Sequence, residues 1–237
     1  MANVALITGA DRGLGLGLTQ RLLASGWTVI AGKFLDWPEL DALQASFPER
    51  LIQVSLDVSS DSSVAHAVAK VRSHVDGIDL LICNAAIQRS AEVQSITEDL
   101  NFDNMIAEFN TNTLGALRVT NAFFPMLQAS SMKRLCYVSS EAGSIAESKR
   151  TGWFGYCMSK AALNMAVKNM HNDLAHQGYS FRLYHPGWMR TYMSGAKNQD
   201  AHYEPDEAAD FALKHFLSAM DESQVRLVDW QGNEMPW

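Results

Sequence analysis

Apolar residues along the chain alternate between two rhythms. Short aliphatic and β-branched runs, VALIT (4–8), TVIAG (28–32), LIQVSLDV (51–58), IDLLICNAA (78–86), KRLCYVSS (133–140), SFRLYHPG (180–187) and VRLVDW (225–230), predict strands. Between them LGLTQRLLAS, SSVAHAVAKVRSHV, NTLGALRVTNAFFPMLQAS and YCMSKAALNMAVKNMHNDLAHQG space their apolar residues at helical intervals, and PDEAADFALKHFLSAM predicts one more helix. Regular alternation of strand and helix predicts an α/β fold: a doubly wound parallel sheet of about seven strands with helices on both faces. The stretch 193–207 is polar and aperiodic, which fits either a lid or an ordinary connection.

Composition narrows this picture. A chain of 237 residues suits one large domain, residues 1–237, and leaves little for a second core. Its 19 Lys and Arg against 26 Asp and Glu give a net charge of -7 without long runs of either sign, which argues against nucleic-acid and anionic-membrane partners. The start MANVALITGADRG has no basic segment before a long apolar run, so a cytoplasmic protein is expected. Cys83, Cys136 and Cys157 are odd in number and lack paired spacing, so they read as core thiols with no metal role.

Candidate chemistry begins after the first strand. TGADRGLGLG places Gly9, Gly13 and Gly15 around Arg12 and Leu14, where glycines bring backbone N–H groups and a helix N-terminus against a pyrophosphate. The second strand ends in Gly32 and Lys33, where an NAD site usually carries a carboxylate. Arg12 and Lys33 together would pair with a 2′-phosphate, which favours NADP(H) over NAD(H). Asp36 is the counter-argument, because a small shift of the strand end would bring it toward the ribose.

In YCMSK, Tyr156 and Lys160 stand four apart on one helix face. An ammonium held near a phenol favours the phenolate and draws its pKa toward the range of acid–base catalysis. The motifs TGADRGLG, LDV, CNAA, NTLG, YVSS, YCMSK and HPGWMRT follow one another along nearly the whole chain. In that order they resemble the short-chain dehydrogenase/reductase family, and within it the C-factor and sniffer-like subgroup, on SSEAGSI, GYCMSKAALNM and DWQGNEMPW.

The resemblance implies a single-domain Rossmann fold. Tyr156 becomes the general acid of carbonyl reduction and base of alcohol oxidation, and Lys160 the residue that holds the nicotinamide ribose and lowers the tyrosine pKa. Ser140 would bond the substrate oxygen, with Ser139 beside it, and Asn112 would position a relay water, with Asn110 as rival. Asp57 and Val58 would meet the adenine; Asn84, Ala85 and Ala86 would lie beside the cofactor, with Ala86 standing where the family usually has glycine. Pro186, Gly187 and Thr191 would turn over the nicotinamide. Trp153, Trp188, Met189 and Tyr192 are candidate apolar walls for a small carbonyl or alcohol substrate.

These residues favour an NADPH-dependent reductase of a small ketone or aldehyde, reversibly oxidising a secondary alcohol. A nucleotide-binding signalling protein of C-factor type is the alternative, and an enoyl reductase, which spaces its tyrosine and lysine more widely, is the third reading. The resemblance also implies a homodimer or homotetramer through the helices beginning near Asn112 and Tyr156. The segment AGSIAESKRTGWFG, between Ser140 and Tyr156, is expected to loop over the pocket mouth.

Overall fold

The computed structural model describes residues 2–89, 95–193 and 197–237. Strands β1 (Val4–Thr8), β2 (Thr28–Lys33), β3 (Leu51–Ser55), β4 (Leu80–Cys83), β5 (Arg134–Val138), β6 (Ser180–His185), β7 (Leu227–Asp229) and β8 (Glu234–Met235) form one sheet in the order 3-2-1-4-5-6-7-8. Every pairing up to β7 is parallel, and β8 returns antiparallel to β7. The eighth strand adds to the expected seven; two residues are too few to carry a periodic signal. Its turn is set locally, with the Asp229 carboxylate accepting from the N–H groups of Gln231 and Asn233 and Gly232 at φ 91°.

Helices α1 (Gly13–Ala24), α2 (Pro38–Ser46), α3 (Asp61–Arg72), α4 (Phe102–Phe109), α5 (Gly115–Gln128), α6 (Phe154–Leu174) and α7 (Pro205–Leu217) cover both faces. Side chains of successive strand residues point to opposite faces, so each strand feeds two cores. Leu6, Leu81, Leu135 and Leu183 pack toward α3, α5 and α6, whereas Ile7, Ile82, Cys136 and Tyr184 pack toward α1, α2 and α7. Cys83 and Cys136 are buried, as expected of core thiols, and burial pushes the Cys83 thiol up to about 12. Cys157 is only half-buried. Among the described residues no acidic, histidine or cysteine cluster could hold a metal ion, and no helix is long and apolar enough to cross a membrane.

The strand order reverses beside β1, with β2 and β3 on one side and β4 onward on the other. At such a switch point the loops leaving neighbouring strands diverge to opposite faces, and a crevice opens at the C-terminal edge.

A buried cationic cluster secures the end of α7. Arg182, 2% exposed, donates to both Glu222 oxygens at 2.7 Å and to the Ser218 carbonyl at 2.9 Å, while Arg134 donates to the Phe216 carbonyl at 3.0 Å. Arginines thereby satisfy carbonyls that a helix C-terminus leaves open. His215, stacked on Tyr184 with ring centroids 5.5 Å apart, has its pKa lowered to about 4 by burial and then by Arg182 and Arg134. As pH falls below 6.5 the unfolded chain binds a proton that folded His215 refuses down to about 4. Stability therefore drops through that window, and His215→Phe should remove this part of the drop, measured as a smaller Tm difference between pH 7 and pH 5.

Candidate active site

The C-terminal ends of β1, β4, β5 and β6 open into a cleft of about 770 Å³. At its cofactor-like end the loop from β1 to α1 contains Gly9 at φ 63° and Gly13 at φ 57°, backbone that favours glycine. No side chain caps the N-terminus of α1, and no acidic residue lies in its first turn, so its positive dipole end faces the cleft beside Gly13 and Leu14. Asn84 fixes this loop by donating its Nδ2 to the carbonyls of Thr8 (3.0 Å) and Gly9 (3.1 Å). In return the Thr8 hydroxyl accepts from the N–H groups of Asn84 and Ala85, both at 3.0 Å. Gly15 lies behind the lining: a Cβ there would come within 2.1 Å of the Gly9 carbonyl oxygen, so its absence is what lets helix and loop touch.

Asp11 joins the loop to the end of β2, accepting from the Phe34 N–H at 3.1 Å and pairing with Arg12 at 3.3 Å. Arg12 lines the cleft, its guanidinium 5.2 Å above the Trp37 ring. Lys33 does not line it: its ammonium bonds Asp36 at 2.7 Å across the turn after β2, which corrects the expectation of two cations on facing walls. Asp57 and Val58 lie at the far end, where the Asp57 carboxylate accepts from the N–H and hydroxyl of Ser59. Ala85 and Ala86 line the cleft, and Ala86 keeps the negative φ that an alanine asks for.

At the other end β5 delivers the serine pair. Ser139 is committed to the core, donating to Asn164 Oδ1 at 2.5 Å. The Ser140 hydroxyl donates to Glu141 Oε2 at 2.6 Å and accepts from the Ala142 N–H at 3.1 Å, and it lines the cleft together with Tyr156. One turn along α6, Lys160 donates to the Val138 carbonyl at 3.0 Å, with its ammonium 5.7 Å from the Tyr156 ring centroid. Burial lowers the Lys160 pKa to about 8. For Tyr156 burial is the largest influence and raises the phenol; the neighbouring Ser140 hydroxyl opposes it, Glu141 and Cys157 add to it, and Arg150 opposes it. Burial of the phenol prevails, while the Lys160 ammonium is held on the Val138 carbonyl.

Asn112 is brought near this site but not into the cleft. It sits on a π-helical turn, Asn110–Leu114, between α4 and α5. Its amide donates to the Ile87 carbonyl (2.9 Å) and Ser159 hydroxyl (3.0 Å), and its oxygen accepts from the Ile87 N–H (2.8 Å). Asn110 instead bonds Ser59 and Arg118. Asn112 thus clips the loop after β4 to α6, and Asn110 does not.

Pro186, Gly187 and Thr191 line the cleft after β6, and so do Trp188, Met189, Tyr192 and Trp153. Gly187 has φ 77°, and a Cβ there would meet the Trp230 ring at 2.7 Å. Trp153, the N-cap of α6, adopts the left-handed conformation at φ 56° with the Arg150 guanidinium 4.6 Å over its ring. The segment before it is anchored from behind, Ser144 donating to the Pro236 carbonyl (2.6 Å) and Ala146 to that of Trp237 (3.1 Å), while Arg150 and Trp153 reach the cleft. In the stretch 193–207, Met193 and Asn198 line the cleft and the Asn198 N–H bonds the Thr191 carbonyl at 3.1 Å; residues 194–196 lie outside the described residues.

Among the lining residues that escaped the sequence reading are the titratable Asp11, Arg89, Glu141, Arg150 and His185. The one available signal was a glutamate directly after the serine pair of an apolar strand.

Asn112→Ala should lower the unfolding free energy by about 2–3 kcal/mol, because it strands both backbone groups of Ile87. Asn110→Ala should cost about 1 kcal/mol or less, and denaturant titration separates the two.

The model of the family described as short chain dehydrogenase matches residues 3–202. C-signal of Myxococcus xanthus is 37% identical over 160 residues, which cover 68% of this chain and 93% of that protein. An NADPH-bound carbonyl reductase from chicken fatty liver superposes with TM-score 0.86 at 31% identity, covering 100% of this chain and 99% of that one. A carbonyl reductase from Pseudomonas aeruginosa PAO1 in complex with NADP superposes at 0.83 with 29% identity, covering 100% of both chains.

Proposed function

The chain belongs to the short chain dehydrogenase family, and from that premise we propose that it is an NADPH-dependent reductase of small ketones or aldehydes. The observation that carries this reading is the meeting of Ser140, Tyr156 and Lys160 in the same cleft as the glycine loop. The cleft fits a dinucleotide: a Cβ at Gly9 would press on Ala85 at 3.1 Å, so the loop keeps its close approach to the end of β4 only as glycine, and the uncapped N-terminus of α1 offers N–H groups to a pyrophosphate. Gly9, Arg12, Gly13, Leu14, Asp57, Val58, Asn84, Ala85, Ala86, Pro186, Gly187 and Thr191 would hold it, with Gly15 supporting the loop. The NADP(H)-bound carbonyl reductases at 31% and 29% identity support the same cofactor.

When bound, the nicotinamide supplies the hydride. The chain's own work is proton transfer and orientation. Ser140 bonds the substrate carbonyl oxygen and holds it within reach of Tyr156, whose protonated phenol donates as charge develops on that oxygen. Lys160, fixed on Val138, presents its remaining N–H donors to the ribose side. Asn112 would position the relay water through its Oδ1, which accepts from Ile87 and keeps a second acceptor position while both N–H donors are engaged with Ile87 and Ser159. Trp153, Trp188, Met189 and Tyr192 give the substrate end an apolar lining that suits an uncharged carbonyl compound.

In solution we propose that the 237 residues act as one cytoplasmic domain that assembles into a homodimer or homotetramer. Exposed Phe102 and Ile106 on α4 and Met158 and Met165 on α6 support faces of this kind. The likeness to C-signal keeps a nucleotide-binding signalling protein as the second reading. A pure binder has no use for a buried proton donor beside Ser140, which favours the enzyme.

Two measurements check the proposal. Tyr156→Phe should lower kcat for NADPH-dependent reduction, across a panel of aldehydes and ketones, by about 10²–10⁴-fold with NADPH affinity nearly unchanged. Undiminished turnover would overturn the mechanism. Arg12→Ala should raise the KM for NADPH by about tenfold to a hundredfold and that for NADH far less, because only NADPH presents a 2′-phosphate to the guanidinium.

A further inference from the structure

Two loops that leave distant strands touch each other across the mouth of the cleft. Trp37 follows β2 and Tyr192 follows β6, and the strand order places β1, β4 and β5 between them. At the usual strand spacing β2 and β6 stand about 19 Å apart in the sheet, so both loops lean inward to meet. They meet edge on, with the Trp37 and Tyr192 ring centroids 5.6 Å apart and the planes inclined at 60°.

Trp37 holds a second residue by its face. The Arg12 guanidinium, from the loop after β1, sits over the indole at 5.2 Å and pairs with Asp11 through Nη1 at 3.3 Å. A guanidinium held on an aromatic face keeps donors on its edge for an anion. Arg12 and Tyr192 both line the cleft, and Trp37 does not. Any effect of Trp37 on a ligand therefore passes through those two side chains.

The segment that carries Tyr192 is secured from the other side. Arg190 donates to the Ala201 carbonyl at 2.9 Å and to Glu204 at 3.2 Å, and the Thr191 carbonyl accepts from the Asn198 N–H at 3.1 Å. Thr191 also lies against the glycine loop, its γ-methyl 3.5 Å from the position that a Cβ on Gly13 would take. Tyr192 is thus the tip of a strap rooted just before α7, and Trp37 is what the tip rests on.

We propose that Trp37 is a positioning residue that latches the cleft over a bound dinucleotide: its edge keeps the Tyr192 strap closed, and its face keeps Arg12 toward the 2′-phosphate of NADP(H). The latch rests on the reading of the cleft as an NADP(H) site. The glycine loop after β1 and Asn84–Ala86 after β4 leave strands that lie between the two the latch joins, whereas Asp57 follows β3, beyond them. Release of the cofactor then requires Tyr192 to part from Trp37.

The two contacts have separable signatures. The Tyr192 contact does not sense the 2′-phosphate, so its loss speeds the release of NADPH and NADH alike. The Arg12 contact serves the phosphate, so its loss lowers the preference for NADPH. A tryptophan that only braced the turn after β2 would weaken both cofactors in proportion.

Stopped-flow release of NADPH and of NADH, followed by the loss of their own fluorescence on chasing with excess NADP⁺, reads both contacts without turnover. Trp37→Ala should release NADH about fivefold faster, and NADPH faster by about a further threefold to tenfold. Tyr192→Ala should speed both cofactors by the same factor of about five, and Tyr192→Phe, which keeps the ring, should match the unsubstituted protein. An off-rate unchanged in Trp37→Ala, or two off-rates raised equally, overturns the latch; so does a Tyr192→Ala protein that releases NADH at the unsubstituted rate. Should Trp37→Ala not fold, Trp37→Leu fills the site without an aromatic face and decides by the same two rates. Failure of the unsubstituted protein to bind either nucleotide overturns the cofactor reading, and the latch with it.

Discussion

An ammonium that is 2% exposed has to be held by the protein, and the Val138 carbonyl accepts from Lys160 at 3.0 Å. Taking a lysine out of water disfavours its charged form by desolvation, which is why its pKa falls to about 8. The bond also ties α6 to the end of β5. With that distance fixed, helical spacing brings Tyr156, one turn earlier, over the residue two beyond Val138, which is Ser140. The convergence of serine, phenol and ammonium is thus a consequence of docking one helix on one strand end.

Opposite this helix, the cofactor-like end is organised by backbone approach. Asn84 and Thr8 lock the ends of β1 and β4 to each other with four hydrogen bonds, and glycine at 15 lets α1 come down on the loop. Asn112 connects the two halves, because Ile87, which it holds by both backbone groups, continues the segment that starts at Asn84. Asn112 thereby ties the start of that segment to Ser159 of α6. The wall between them combines apolar rings with the ion pair of Glu141 and Arg150.

The sheet and its long helices were legible because each is buried on both faces or along one stripe, and burial writes a period into sequence. Tyr156, Lys160 and Ser140 were legible through spacing and through the motifs that surround them. What escaped was decided by short-range geometry. α2 buries only Leu40 among its residues and leaves no stripe to read. Phe102 and Ile106 of α4 face outward, so their apolar character did not mark a core-facing side. The direction of Lys33 depends on a turn that places Asp36 within 2.7 Å, and no periodicity reports which neighbour a flexible cation will choose. Ser139 and Ser140 are alike in sequence; only the position of Asn164 on α6 assigns one to the core and leaves the other to Glu141.

The π turn at Asn110–Leu114 has a consequence for how this chain tolerates changes in length. A π turn carries an extra residue relative to the α repeat, so α4 and α5 are read in two frames joined at that point. Losing one residue there would restore a single frame and leave the faces of α4 and α5 where they are, because the wide turn already absorbs the extra residue. The contacts made inside the turn, Asn110 with Ser59 and Asn112 with Ile87 and Ser159, are the ones such a loss would disturb. Substitution and deletion are therefore unlike hazards in this segment: the first removes one contact, and the second resets the turn while the flanking helices keep their faces.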